Sequence, residues 1–118
     1  MLITLDEAKD QVKIDRDDIT QDDELTAFIL AASSRLEEEL QRAVYLTRSD
    51  ITTDDPDALV LDELRHGGEG LKLALKLMIG HYFRNREQVV TGTIVSNMPE
   101  GFAELTSSYR LIPYGGRT

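Results

Sequence analysis

The sequence of 118 residues contains no cysteine, which excludes disulfide bonds, thiolate metal ligands and a cysteine nucleophile. Only two histidines are present, too few for a histidine-rich metal site. The longest purely apolar run is 27–32, and a membrane span needs roughly 18 to 20 apolar residues, so no span is predicted. The first residues lack the basic and apolar pattern of a secretory signal, so the chain is expected in the cytoplasm.

Acidic residues outnumber basic ones by 22 to 13, which gives a formal net charge of −9. The excess is uneven, because residues 1–63 carry 18 acidic and 6 basic side chains whereas residues 64–118 carry 4 and 7. A negative chain opposes tight binding to the phosphate backbone of nucleic acids. The opposite signs of the two halves, −12 and +3, favour complementary self-association.

Three segments have the apolar spacing of amphipathic helices. Thr4 and Glu7 have the spacing of a capping box before a short helix that ends near Lys13. The ranges 22–42 and 71–86 predict two long helices, the second with an unusually wide apolar face. The predicted core positions are Leu5, Ala8 and Val12, then Leu25, Phe28, Ile29, Ala32, Leu36, Leu40 and Ala43, then Leu71, Leu73, Ala74, Leu75, Leu77, Met78, Ile79 and Tyr82.

The segments between the helices are polar or broken by glycine. Residues 15–23 predict a solvated connector that ends in acidic residues at the start of the second helix. Residues 46–69 predict a loop or a short hairpin, with a helical turn or two near its end and a glycine break. The β-rich residues 89–95 predict an extended arm or a small hairpin.

A last short helix is predicted after Asn97, with Phe102, Leu105 and Tyr109 on one side. Pro113 cannot continue it, so residues 110–118 form a tail. The sequence therefore predicts a single all-α domain over 1–118. Its expected architecture is a small bundle of about four helices with a long central pair, an irregular loop or hairpin and an extended C-terminal tail.

No motif points to a catalytic, cofactor-binding or metal-binding residue, and none is predicted. The aspartates of 15–18 lack the glycine and glutamate that an EF-hand requires at its sixth and twelfth positions, where Thr20 and Thr26 stand. The glycines of 67–70 lack the Gly-Lys-Ser/Thr ending of a phosphate loop. His81 is interpreted as a packed or interfacial histidine.

Several segments resemble the tailed-bacteriophage head-tail connector family, whose members are also described as DNA-packaging or head-completion adaptor proteins. The most specific are Gly-His-Tyr-Phe-Arg-Asn-Arg-Glu at 80–87 and the Pro-Glu-Gly-Phe to Tyr-Arg block at 99–110. The short segment 3–9 and the long helix 25–42 extend the resemblance over nearly the whole chain. Residues 46–70 are not placed against the family.

The resemblance implies a structural protein of a phage or prophage, not an enzyme, without a cofactor. It implies a homo-oligomeric ring, a dodecamer when assembled and a monomer alone, below the portal protein. The ring would extend the DNA channel and dock a tail-completion or stopper protein. DNA would pass without sequence-specific binding, no membrane would be involved, and the protein would move from the cytoplasm of the host bacterium to the virion neck.

Together, the charge pattern and the implied ring lead to two hypotheses about contact residues. Basic residues of the second half would meet the acidic helix of an adjacent subunit, and the tail would contact the portal or another partner; the alternative is a tail folded back on its own core. The candidate subunit-interface residues are Asp22, Glu38, Lys72, Lys76, Arg84 and Arg86, and the candidate partner contacts are Tyr109, Arg110, Ile112 and Tyr114.

An acidic DNA-mimic or regulatory protein-binding module is the second interpretation. The net charge supports it, but the acidic residues cluster at helix caps and in a loop, whereas mimicry asks for regular spacing over a surface. An enzyme would need a pocket with perturbed ionisable groups, which the sequence does not reveal.

Overall fold

A computed structural model describes residues 2–52, 54–86, 99 and 101–109. Within these residues the chain forms four α-helices, namely α1 (Leu5–Val12), α2 (Asp22–Leu40), α3 (Glu69–Arg84) and α4 (Phe102–Thr106). The two long helices, α2 and α3, pack against each other, and α1 and α4 both pack against this pair. The predicted helical bundle with a long central pair is confirmed.

Two predicted features fall outside the described residues. They are the extended arm or hairpin at 89–95 and the C-terminal tail at 110–118. The predicted last helix is described from Gly101 onward, and its buried Phe102 packs in the core with half-buried Leu105 and Tyr109 against it, as the spacing indicated. Thr106 ends α4, and a 3₁₀ turn continues to Tyr109.

The start of α1 has the predicted capping box. The backbone N–H of Glu7 donates to Thr4 Oγ1 at 3.1 Å, and the backbone N–H of Thr4 donates to Glu7 Oε1 at 2.9 Å. Burial raises the pKa of the Glu7 carboxyl, but these bonds and the charges of Lys72 and Lys76 outweigh it and lower the pKa overall. Lys13, with φ of 65°, ends the helix.

The core lies where α2 and α3 face each other, and it contains most of the predicted apolar stripes. Leu73 is an error of the sequence prediction, because its side chain is 47% exposed and the apolar face of α3 is narrower there than its composition indicates. Ala43 is only half-buried, because α2 ends at Leu40. The buried residues of the two long helices are Leu25, Phe28, Ile29, Ala32, Leu36, Leu40, Leu71, Ala74, Leu75, Met78 and Ile79.

The segment between the long helices is a crossover. Two short strands, β1 (Val44–Tyr45) and β2 (Leu59–Val60), pair in parallel with Val44 opposite Leu59. A hairpin joins antiparallel strands, so the hairpin alternative for this region is wrong and the irregular loop is correct. The Arg48 guanidinium donates to both carboxylate oxygens of Glu63 at 2.6 Å, which fastens the loop to the 3₁₀ turns that precede α3.

Arg42 connects this crossover to the last helical turn. Its Nε donates to the backbone oxygen of Asp57 at 2.7 Å, and its Nη1 donates to the backbone oxygen of Tyr109 at 3.1 Å. One guanidinium therefore satisfies carbonyl groups from two segments that are far apart in the sequence.

The turn before α3 offers a matched pair of glycine substitutions. Gly67 and Gly68 both have positive φ, 63° and 73°, but an added Cβ on Gly68 would lie 3.0 Å from Leu61 Cβ, whereas one on Gly67 would meet nothing within 4 Å. We expect Gly67→Ala to lower the free energy of unfolding by about 1 to 2 kcal/mol, because alanine is disfavoured in the left-handed backbone conformation. Gly68→Ala should lower it by about 1 to 3 kcal/mol more, because its added Cβ overpacks against Leu61. Urea unfolding of both variants measures the difference, and equal losses would show that Leu61 does not constrain this turn.

Candidate assembly surfaces

The predicted basic interface residues at the end of α3 lie close to the acidic start of α2 in the same chain. Arg86 Nη1 donates to Gln21 Oε1 at 2.8 Å and lies 3.3 Å from Glu24 Oε1. The Arg86 guanidinium also lies 4.7 Å from the centre of the Phe83 ring, in a cation–π geometry. The attraction that the sequence suggested between subunits therefore operates within one subunit at Arg86. A contact between subunits stays a prediction.

The other predicted basic residues differ in how they are engaged. Lys76 Nζ lies 3.9 Å from Glu7 Oε2, across the α1–α3 contact, and Lys72 is half-buried on the same helix. Arg84 is exposed, and it forms no ion pair with the residues that the structure describes. Among these residues Arg84 is thus the most available to a partner.

The two predicted acidic interface residues have neighbours of their own. Asp22 Oδ1 lies 2.8 Å from Lys9 Nζ, and the Glu38 carboxylate lies 3.5 Å from Arg35, one turn earlier on α2. Glu38 is well exposed, whereas Asp22 is half-buried at the start of α2. The structure therefore does not bring Asp22 and Glu38 into one patch.

Of the predicted partner contacts, the structure describes Tyr109, which directly precedes the tail. Its side chain is half-buried and packs against the core. This is the position that the alternative prediction, a tail folded back on its own core, gives to this residue. Arg110, Ile112 and Tyr114 lie outside the described residues. Their contact with a partner stays a prediction.

A groove between α1 and α3 was missed by sequence reasoning. It has a volume of about 280 Å³, and we call it the α1–α3 groove. Gly80 forms its floor on α3, where an added Cβ would lie 3.3 Å from Arg84 Nη1. A glycine inside an otherwise apolar helix is the signal that could have pointed to this close approach. The lining residues are Gln11, Val12, Lys13, Gly80, Phe83 and Arg84.

The charge of this groove comes from lysine and arginine. His81 lies nearby, and burial together with the charge of Arg84 lowers its pKa, so the imidazole is neutral at physiological pH. Lys13 and Arg84 are the cations that line the groove, and Arg86 stacks on Phe83 beside it. The α1–α3 groove is therefore a basic site on a chain whose net charge is −9.

The segment between α1 and α2, residues 14–21, forms the solvated connector that the sequence predicted, and we call it the acidic connector. Its Asp18 carboxylate accepts from the backbone N–H of Thr20 at 2.9 Å and from the Thr20 hydroxyl at 2.6 Å, and these bonds lower the pKa of Asp18. The sequence prediction did not single out Ile19, whose side chain is 73% exposed directly after Asp17 and Asp18.

A second groove, with a volume of about 280 Å³, lies between α2 and β1. Leu30, 55% exposed, borders it, and the Glu37 carboxylate accepts a hydrogen bond from the backbone N–H of Val44 at 2.8 Å. Glu37 therefore satisfies a backbone N–H at the edge of β1.

The described residues do not include a group of three or more histidine, aspartate or glutamate side chains that could hold a metal ion. Among the helices of the described ranges, none is both long enough and apolar enough to span a bilayer. The prominent features are therefore the two grooves, the acidic connector and the charged end of α3.

Comparison with known families gives a match over most of the chain. The family model described as phage gp6-like head-tail connector protein matches residues 2–110, which include all the described helices. Neither the curated proteins nor the solved structures contain a match to this chain.

Proposed function

Because the chain belongs to the phage gp6-like head-tail connector family, we propose that this structural protein forms a ring below the portal protein. The ring would extend the DNA channel and dock the next tail component, such as a tail-completion or stopper protein. The family match over residues 2–110 is the observation that carries the proposal.

A closed ring requires a heterologous interface, in which one surface of a subunit meets a different surface of its neighbour. The chain has surfaces of opposite charge that suit this requirement: the acidic connector is one, and the basic groove between α1 and α3 is the other. This distribution supports a ring of identical subunits.

The acidic excess also suits a channel for DNA. If acidic side chains face the lumen, they repel the DNA phosphates, so the genome passes without binding to the channel wall. We expect the isolated protein to show no binding to duplex DNA in a fluorescence anisotropy titration at physiological salt. Binding under these conditions, or a basic bore in the assembled ring, would contradict this part of the proposal.

Electron microscopy of the purified protein mixed with its cognate portal tests the ring directly. We expect an additional co-axial ring on the portal, even if the protein alone is monomeric. Absence of any association would leave the acidic DNA-mimic or regulatory module, which the net charge of −9 favours, as the better explanation.

Charge reversal at the end of α3 tests the predicted subunit interface. We expect Arg84→Glu to lower ring formation on portals by about tenfold or more, since about 1.4 kcal/mol is enough for a tenfold change. Arg65→Glu is the matched control, because Arg65 is also exposed but lies before the opposite end of α3. Equal assembly of the two variants would remove Arg84 from the interface.

Arg86→Glu needs a separate control, because Arg86 also contacts Gln21, Glu24 and Phe83 of its own chain. Its thermal midpoint should be measured before its assembly is compared with that of Arg84→Glu. A normal midpoint together with reduced assembly would place Arg86 in the interface as well.

A further inference from the structure

We propose that the acidic connector of one copy docks in the α1–α3 groove of a second copy, with Ile19 inserted between Val12 and Phe83. This inference rests on the proposed function and deepens it, because it names the two surfaces that would meet at each subunit boundary of the ring.

Ile19 is the first observation. At 73% its exposure is the highest of the large exposed apolar side chains in the described ranges, and its nearest neighbours in the sequence, Asp18 and Thr20, are polar. An exposed aliphatic side chain gains free energy when a partner removes it from water. The α1–α3 groove offers apolar walls in Val12 and Phe83. Gly80 contributes no side chain to its floor, and the Arg84 guanidinium lies there, with Nη1 3.3 Å from the place of an added Cβ.

Charge is the second observation. Asp17 and Asp18 directly precede Ile19, whereas Lys13 and Arg84 line the groove. Neither Lys13 nor Arg84 has an ion pair within residues 2–52, 54–86 and 101–109. An acidic segment would therefore bring counter-charges to cations that lack them in the single chain, and complementary charges fix the register of such a contact.

The placement of the two surfaces suits a head-to-tail contact. Lys9 Nζ donates to the backbone oxygen of Arg16 at 3.0 Å and so holds the acidic connector on one side of α1. The connector and the groove are different surfaces of the subunit, so a contact between the connector of one copy and the groove of the next is heterologous, as ring closure requires.

The connector is also held in shape before docking. Arg16 forms a two-pronged contact with the Asp10 carboxylate, at 3.2 Å from Nε and 2.6 Å from Nη2, and Asp18 caps the turn at Thr20. A segment that is ordered in advance loses less conformational freedom when it binds.

The absence of cysteine from the chain makes a cross-linking test specific. An Ile19→Cys protein is mixed with a Gln11→Cys protein, one of them carrying a mass tag, under mild oxidation. The matched control mixes Ile19→Cys with Leu30→Cys, because Leu30 is exposed in the other groove, between α2 and β1. Disulfides form only between Cα atoms within about 7 Å, so the yield of mixed dimer reports which surfaces meet.

We expect several-fold more mixed dimer from the 19–11 pair than from the 19–30 pair. Adding Arg84→Glu to the Gln11→Cys protein should lower this yield, and adding Asp17→Lys to the Ile19→Cys protein should restore it. A yield from 19–11 no higher than that from 19–30 would overturn the inference.

The same proteins separate failure of the inference from failure of the proposed function. A wild-type ring on the portal, together with no preference for the 19–11 pair, leaves the function standing and rejects the interface. No ring on the portal rejects the function, whatever the cross-links show.

Discussion

Leu36→Ala lowers the free energy of unfolding by about 2 to 5 kcal/mol, the range for removing a fully buried leucine side chain. Leu36 lies on α2 with no exposed surface, within the cluster that joins the two long helices. Small domains are stable by only about 5 to 15 kcal/mol, so this loss is a large share of the total. The thermal midpoint should fall by about 10 °C or more, measured by circular dichroism at 222 nm.

Leu30→Ala is the matched control for this prediction. It makes the same substitution on the same helix, but Leu30 is 55% exposed. We expect its loss to stay within about 0.5 to 1 kcal/mol, since surface substitutions away from packed contacts cost little. Equal losses for Leu36→Ala and Leu30→Ala would mean that α2 packs through a different face.

The helices could be predicted because their causes are local. The stripe of Leu25, Ile29 and Leu36 recurs with the helical period, and the Thr4–Glu7 capping box marks a helix start within four residues of sequence. Both signals depend only on neighbouring residues, and the structure confirms both. The family resemblance rested on such segments too, and the family match supports it.

The parallel pairing of β1 with β2 could not be predicted in the same way. Val44 and Leu59 are separated by a long polar loop, and two-residue strands are too short to show the alternation that marks a strand. Their pairing depends on where α2 ends and where α3 begins, which is a property of the packed bundle. Sequence reasoning therefore left loop and hairpin as alternatives.

Of the candidate site, the sequence predicted the charged residues but not their contacts. The sequence showed which residues are basic and which are acidic, but not that Arg86 binds the start of its own α2 while Arg84 stays exposed. The α1–α3 groove depends on how closely the two helices approach each other at Gly80. The amino-acid sequence alone does not give that distance. Contacts between subunits depend in turn on these surfaces, so they stay predictions.

Lys9→Ala is the second substitution with a large expected effect. The Lys9 side chain is 3% exposed, and its Nζ lies 2.8 Å from Asp22 Oδ1, at the junction of α1, the acidic connector and α2. Asp22 Oδ1 is buried, and the Lys9 ammonium is the charge that lies against it among the described residues. The contact is therefore an ion pair, and removal of Lys9 leaves a half-buried carboxylate without its counter-charge.

We expect Lys9→Ala to cost about 3 kcal/mol, the low end of the range for breaking a buried ion pair, because Asp22 keeps some contact with water. Urea unfolding measures the loss, with Lys13→Ala as the control, since Lys13 is exposed one turn later. The double variant Lys9→Met with Asp22→Asn should recover most of the loss, because replacing both charges removes the unpaired carboxylate. A Lys9→Ala loss no larger than that of Lys13→Ala would show that the connector is held by other contacts. In that case the fixed position of Ile19, on which docking between copies depends, would have to come from Arg16 and Asp18 alone.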